Sequence, residues 1–385
     1  MRLFLVLLAV TLAPTLAHAQ WDMETSHTTA SLRGVHSVGG GVAWASGTSG
    51  TVLRTEDGGY VWQLCAIPPG AEKLDFRGIQ AFDANIAIVM SSGTGDLSRI
   101  YKTTDGCQTW KLLFTNPDKK GFFDALQFAN KKLGFIAGDP VPSPQPPHKA
   151  ELVFYVTEDG GATFKRWANP VLAAEPLTAG AFAASNSSLA VTQSPADPHG
   201  FLWLGTGGTS GPRVYLGGFA SHVTEQNGFS PIAEIRWNPI NVPLAAGTSS
   251  AGTFSVALRE SRQDTVKNNW ISSARLIAVG GDYQKPEVTS GTTAFTLDGG
   301  QHWTAAQTAP HGFRSAVAYD AQQKLWITVG PNGTDISRDD GKNWAPLKPS
   351  PQDPPDADKD WNALSLPYVV GPHGRIGKLH TITQK

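Results

Sequence analysis

Five aspartates recur in one local setting. Asp57, Asp105, Asp159, Asp298 and Asp339 each follow a Ser or Thr by two positions and precede an aromatic by five, at Trp62, Trp110, Phe164, Trp303 and Trp344. A carboxylate on a glycine-rich turn can ligate a metal, act as an acid, or cap its own hairpin. Three arginines recur in another setting, as LRG at Arg33, FRG at Arg77 and FRS at Arg314. Guanidinium forks match carboxylate and phosphate geometry, so these three could read an anion.

Spacing decides the role of the aspartates. They lie 48, 54, 139 and 41 residues apart, close to the roughly 40–50 residue period of propeller blades. The longest gap has room for more than one unit, so a degenerate copy is expected between Gly217 and Trp237. A carboxylate repeated around a ring is hard to reconcile with one active site. Asp instead hydrogen-bonds the amides of its own turn, Gly supplies positive φ, and the aromatic packs between neighbouring sheets.

Each unit needs an entering strand, and seven starts can be read, at 32–35, 76–79, 123–126, 181–184, 253–256, 313–316 and 361–364. A second strand follows, as in VAWASG and LWITVG, and a third leads into the turn, as in TVLRT and RIYKT. Short runs with period-two texture fit half-buried antiparallel strands. The last unit stops where a box should begin, while WDMETS at 21–26 has the aromatic and outer strand that come after a box in the other units. The expectation is an all-β, seven-bladed propeller of four-stranded antiparallel blades over residues 20–385, closed by the strand near Trp21.

Entering strands of a propeller line its channel. The second residue of each start gives a ring of Arg33, Arg77, Asp124, Phe182, Phe254, Arg314 and Asn362. Arg314, Asn362, Arg33 and Arg77 are contiguous across the closure and form a candidate anion-reading arc. Asp139, Asp282 and Tyr283 follow second strands and are candidate rim groups. The plain alternative is that each arginine pairs locally and each rim Asp caps a turn. Several connections exceed what blades need, at 140–149, 193–213, 260–275, 283–293 and 346–359. Loops of this kind carry binding function or simply connect.

Composition narrows the classes further. Net charge is -1 and charged residues are 16%, with no basic stripe for nucleic acid. Residues 1–19 read as a secretory signal peptide, with Arg2, an apolar Leu3–Leu12 run and an Ala17-His18-Ala19 site. No later run is long enough for a membrane span. Export, periplasmic or extracellular, and a monomer are expected. The histidines show no H-x-x-H spacing, so neither a metal nor a cofactor is expected. Cys65 and Cys107 are read as two buried free thiols, with a disulfide between neighbouring units as the alternative.

The repeated stretches TEDGGYVW, TTDGCQTW, TEDGGATF, TLDGGQHW and SRDDGKNW resemble the Asp-box, or BNR repeat. SLRGVHSV, KLDFRGIQAFD, VGGDYQKP and VGPNGTDISRDDGKNW resemble an exported bacterial family described as photosystem II stability/assembly factor-like, or WD40/YVTN/BNR-like. That resemblance implies a seven-bladed propeller that binds a protein, partly through an arginine-rich face. Function is therefore read as a non-enzymatic binding or assembly scaffold for a protein or anionic ligand. The alternative is a sialidase-like or other glycoside hydrolase. Sialidases use a tyrosine nucleophile, an arginine triad and an R-I-P stretch, and no R-I-P stretch occurs here.

Overall fold

The computed structural model describes residues 19–142, 150–167, 172, 179–193, 199–220, 223–224, 228–229, 232, 234–259 and 274–382. The expected signal peptide falls almost wholly outside these residues, as do parts of the long connections near 143–149, 194–198 and 260–273. Within them the chain is built of short antiparallel strands, and helix is confined to brief turns such as Gly95–Leu97. The strands are rich in β-branched and aromatic residues and end at Gly, Asn and Asp, which is why they stay short.

Five sheets have four strands each. They are entered by Leu32–Gly39, Phe76–Ala81, Phe123–Phe128, Ala316–Asp320 and Ala363–Ser365. The last is completed by Trp21–Glu24, which pairs with Ile376–Leu379 in the register Trp21↔Leu379 to Glu24↔Ile376. A nine-stranded sheet holds two further groups, which meet where Gly207 pairs with Gly252. A Cβ on Gly207 would lie 2.4 Å from the Ala251 carbonyl oxygen, so only glycine allows that approach. The entering strands touch in turn, and Ala363–Ser365 comes back against Leu32–Gly39.

Second strands such as Ala87–Ser91 and Leu325–Gly330 are buried along their whole length. A neighbouring sheet covers each face, so they read as continuous apolar runs rather than alternating ones. The turn aromatics complete this packing. Trp62 meets Tyr368 edge-on at 5.5 Å, Phe164 lies on Phe114 at 5.2 Å, and Trp344 joins Ile277 and Val279. Trp21 stacks on Trp361 at 5.7 Å within the cluster around Leu325 and Ile327.

The five aspartate turns have one hydrogen-bond scheme. The Ser or Thr hydroxyl donates to the Asp carboxylate at 2.7–2.9 Å. That hydroxyl accepts the amide four residues on, and the carboxylate accepts the amide four residues beyond itself. The Val61 amide, then Thr55, hold the Asp57 carboxyl below its ordinary range. Thr109 and Thr103 bring Asp105 down to about 2. Each carboxylate is thus spent inside its own turn. Two successive residues there have positive φ, and Cys107 (φ 67) stands where other turns have glycine.

The structure corrects two expectations. Cys65 and Cys107 form a disulfide, with Cα atoms 5.3 Å apart, joining the end of one sheet to the turn of the next. The Cys65 amide already reaches the Val52 carbonyl and the Ala66 amide that of Cys107, so the two thiols are held in reach. Residues 181–184 are not an entering strand. Ala179–Gly180 forms a two-residue strand, the chain then bends, and the ladder resumes only at Leu189–Gln193. The degenerate turn expected between Gly217 and Trp237 lies largely outside the described residues, and the strands on either side of it are in place. Arg213–Ala220 pairs directly with Ile235–Asn241, with Phe219 opposite Ile235. Trp237 keeps the packing place and meets Phe154 edge-on at 5.0 Å.

Candidate functional site

Four entering strands share one irregularity. The ladder skips a residue between Leu32 and Gly34, Phe76 and Gly78, Phe123 and Ala125, and Thr253 and Ser255. The bulged residues are Arg33, Arg77, Asp124 and Phe254. A bulge frees one residue from pairing and re-aims its side chain, and all four line one cavity of about 800 Å³. The next strand of the Phe123 sheet has its own bulge between Gly138 and Pro140, which turns Asp139 into the same space.

One part of the wall is aromatic. Phe182 stacks on Phe254 at 3.8 Å, and Phe313 and Tyr283 meet Phe254 edge-on at 4.8 and 6.1 Å. The other part is ionic. Arg77 Nε pairs with Asp75 at 2.7 Å and its Nη1 donates to the Ala183 carbonyl at 3.3 Å. Arg33 has neither a hydrogen bond nor an ion pair among the described residues, and its Nε is sealed from solvent. Burial, then the neighbouring Arg77, lowers its pKa. Asp124 is 1% exposed and its Oδ2 lacks a donor. Burial, then Asp139, pushes it well above the carboxylate range. Burial raises Asp139 to about 6, against the opposing Ala181 amide.

The segment that interrupts the fourth unit crosses the middle of the molecule. Asn186, with φ 64, accepts the Leu126 amide at 2.7 Å and donates to the Leu126 carbonyl at 2.8 Å and to that of Ile79 at 3.5 Å. Ser185 donates to the Ser315 carbonyl at 2.9 Å, and Ser187 to the Ser255 hydroxyl at 2.7 Å. Four sheets are tied to this one turn. Gly78 makes room for it, because a Cβ there would lie 2.8 Å from Asn186 Oδ1.

No family model and no curated protein sequence matches this chain. Solved structures do. YCF48 bound to D1 peptide superposes with a TM-score of 0.57 at 15% identity, covering 96% of this chain and 99% of its own. YCF48 from Cyanidioschyzon merolae gives 0.54 at 16% identity, covering 94% and 99%. The fold is that of a YCF48-like β-propeller. The sheets are accordingly its blades, and the cavity opens among the entering strands at the propeller's centre.

Of the eight candidate site residues, the propeller gathers Arg33, Arg77, Asp124, Asp139, Tyr283 and Asn362 at the cavity. Asn362 also ties two blades, donating to the Leu32 carbonyl at 2.8 Å. Arg314 is a correction. Its strand begins only at Ala316, so no bulge turns it inward, and it is fully buried. Nε donates to Asp335 Oδ2 at 2.9 Å, Nη2 also bonds Asp335, and Nη1 reaches Asn332 at 2.7 Å. It is a structural clamp. Asp282 is the second correction. It accepts the Gln284 amide at 3.1 Å and the Thr248 hydroxyl at 3.2 Å, capping a turn away from the central cavity.

Lys120, Phe122, Phe313 and Trp361 also line the cavity of this YCF48-like propeller and had no sequence signal of their own. Phe313 and Trp361 precede the ring positions by one residue. In the blade of Phe313 the strand starts only at Ala316, and the Phe313 ring, not Arg314, stands against Phe254; the Trp361 ring stays on Trp21 in the core and Asn362 keeps its place at the cavity.

Proposed function

We propose that this chain is an exported, seven-bladed propeller, one domain over residues 20–385 closed by the strand Trp21–Glu24. It works as a non-enzymatic binding scaffold whose central cavity takes part of a protein partner or a small anionic ligand. The observation that carries the reading is Arg33. It is bulged into a cavity and lacks any ion pair among the described residues, beside a stacked phenylalanine wall. A half-apolar pocket with a few convergent polar groups is built for recognition. One YCF48 of this fold holds a D1 peptide, which supports a polypeptide ligand here. The Cys65–Cys107 disulfide suits an oxidising compartment and so supports export.

The hydrolase alternative is weakened at two points. Arg314 is spent on Asp335, so three arginines do not converge. Tyr283 is 51% exposed, and its hydroxyl has no hydrogen-bond partner among the described residues, whereas a nucleophile needs an activating neighbour. The test compares recovery of partners from envelope extract by the wild-type chain and by an Arg33→Ala/Arg77→Ala variant. We expect the variant to lose a specific partner; equal recovery would remove the cavity from the reading. Turnover of fluorogenic glycosides that disappears in Asp139→Asn would favour the hydrolase instead.

A further inference from the structure

Anion recognition uses only part of this cavity. Asp124 is as prominent as Arg33 and has the opposite sign. Its carboxyl is 1% exposed, makes no hydrogen bond or ion pair among the described residues, and leaves Oδ2 sealed from water without a donor. Buried acceptors in folded proteins are nearly always satisfied. Arg33 Nε is sealed in the same way, as a donor lacking an acceptor. Both residues are turned inward by bulges of one kind. Asp139 stands with Asp124, and Arg77, Lys120 and Tyr283 complete the polar lining, with Arg77 already paired to Asp75.

We propose that the cavity binds a ligand that carries an amine cation and a carboxylate close together on an apolar body, the cation seated on Asp124 and Asp139 and the carboxylate on Arg33. This deepens the binding reading above and rests on it. A purely anionic ligand would leave the Asp124 oxygen unsatisfied and meet two acidic groups. A purely cationic one would leave Arg33 unsatisfied. A ligand of both signs meets each of these side chains with the opposite charge, and the partly exposed Phe182 ring, backed by Phe254, is the aromatic surface left for the apolar body. The chemistry is shared by a free amino acid and by a polypeptide segment with adjacent basic and acidic side chains.

Binding also moves protons. Asp139, held near 6, is largely protonated below that pH and must ionise to accept an ammonium. Affinity for the two-signed ligand should therefore weaken about tenfold between pH 7 and pH 5. An anion-only ligand should be unaffected or bind better at low pH, because the competing carboxyls are then neutral.

Titration calorimetry on the intact chain would use four probes: phenylalanine, N-acetylphenylalanine, phenylalaninamide, and a lysyl-glutamate dipeptide blocked at both ends. We expect phenylalanine or the blocked dipeptide to bind at least tenfold more tightly than either singly charged probe, since charge-assisted bonds are the strong ones. Which of the two wins identifies the source. Asp124→Asn should erase that preference, and Asp139→Asn should weaken it and abolish the loss of affinity at pH 5; the second variant serves alone if the first does not fold. A singly charged probe that matches the best two-signed one overturns the proposal, as does a preference unchanged in both variants. Tight binding of N-acetylphenylalanine alone would overturn it while leaving the anion reading standing. Binding by none of the four would overturn it too, and partner recovery would still test the scaffold separately.

Discussion

Asp124 and Asp139 occupy bulges on two paired strands, Phe123–Phe128 and Gly134–Pro142, and face one cavity. Both carboxyls are held above the ordinary carboxylate range. Burial is the larger cause for Asp124, ahead of Asp139, and for Asp139 it acts against the Ala181 amide. Stability should therefore fall as pH rises. The native state holds a proton on Asp139 up to about 6, whereas the unfolded carboxyl loses it near 3.8. Between those values the unfolded state binds fewer protons, and above 6 the full penalty, roughly 2–3 kcal/mol, is present. Asp139→Asn should flatten the decline in unfolding free energy between pH 4 and pH 7. A denaturant series at several pH values would show this, and an identical slope in the variant would refute it.

Arg314 and Arg33 should behave as opposites. Arg314→Ala breaks a buried ion pair and leaves Asp335 with His311 as its remaining side-chain partner among the described residues, and is expected to cost about 3–5 kcal/mol. Arg33→Ala removes a guanidinium that has no partner among the described residues, and should change stability by less than about 1 kcal/mol. Chemical denaturation of the two variants side by side checks the contrast.

The disulfide closes a loop between residues 42 apart in sequence. Chain-entropy reasoning puts its contribution at about 4 kcal/mol. Reductant should lower the thermal midpoint of the wild-type chain and leave a Cys65→Ser/Cys107→Ser variant unmoved. A wild-type midpoint that ignores full reduction would mean the loop is constrained by other contacts.

The strand Trp21–Glu24 has its own clamp. The Asp353 carboxylate accepts the Gln20 amide at 3.0 Å and the Trp21 amide at 2.9 Å, and Trp21 is 2% exposed. Trp21→Ala should cost about 3–5 kcal/mol. Asp353→Ala should expose residues near Gln20 to limited proteolysis without dissolving the other blades. Equal cleavage rates in the variant and the wild type would show that this strand is not held there.

Legibility followed the range of the interactions. The aspartate turns were readable because every bond that builds them lies within four residues, as from Thr55 through Asp57 to Val61. Their aromatics were readable because the same period sets which sheet each one meets. Arg33, Arg77 and Asp124 were found by position in the repeat, since the same bulge recurs in each strand. The same logic failed at Arg314 and at residues 181–184, where the strand begins late or is interrupted.

What the sequence determined alone is the repeat: hairpins capped by their own side chains, short strands between them, and the places where an arginine or acid enters the ring. Tertiary structure decided everything that needed partners far along the chain. Asn186 is bonded to Ile79, 107 residues away, and so fills the centre. Asp335 claims Arg314 across 21 residues and removes it from the arc. Cys65 finds Cys107 because two neighbouring blades bring their ends together. Local turns have few alternatives and can be read from composition. Which buried charge is paired and which is left facing a cavity depends on packing between blades, and only the folded chain sets that.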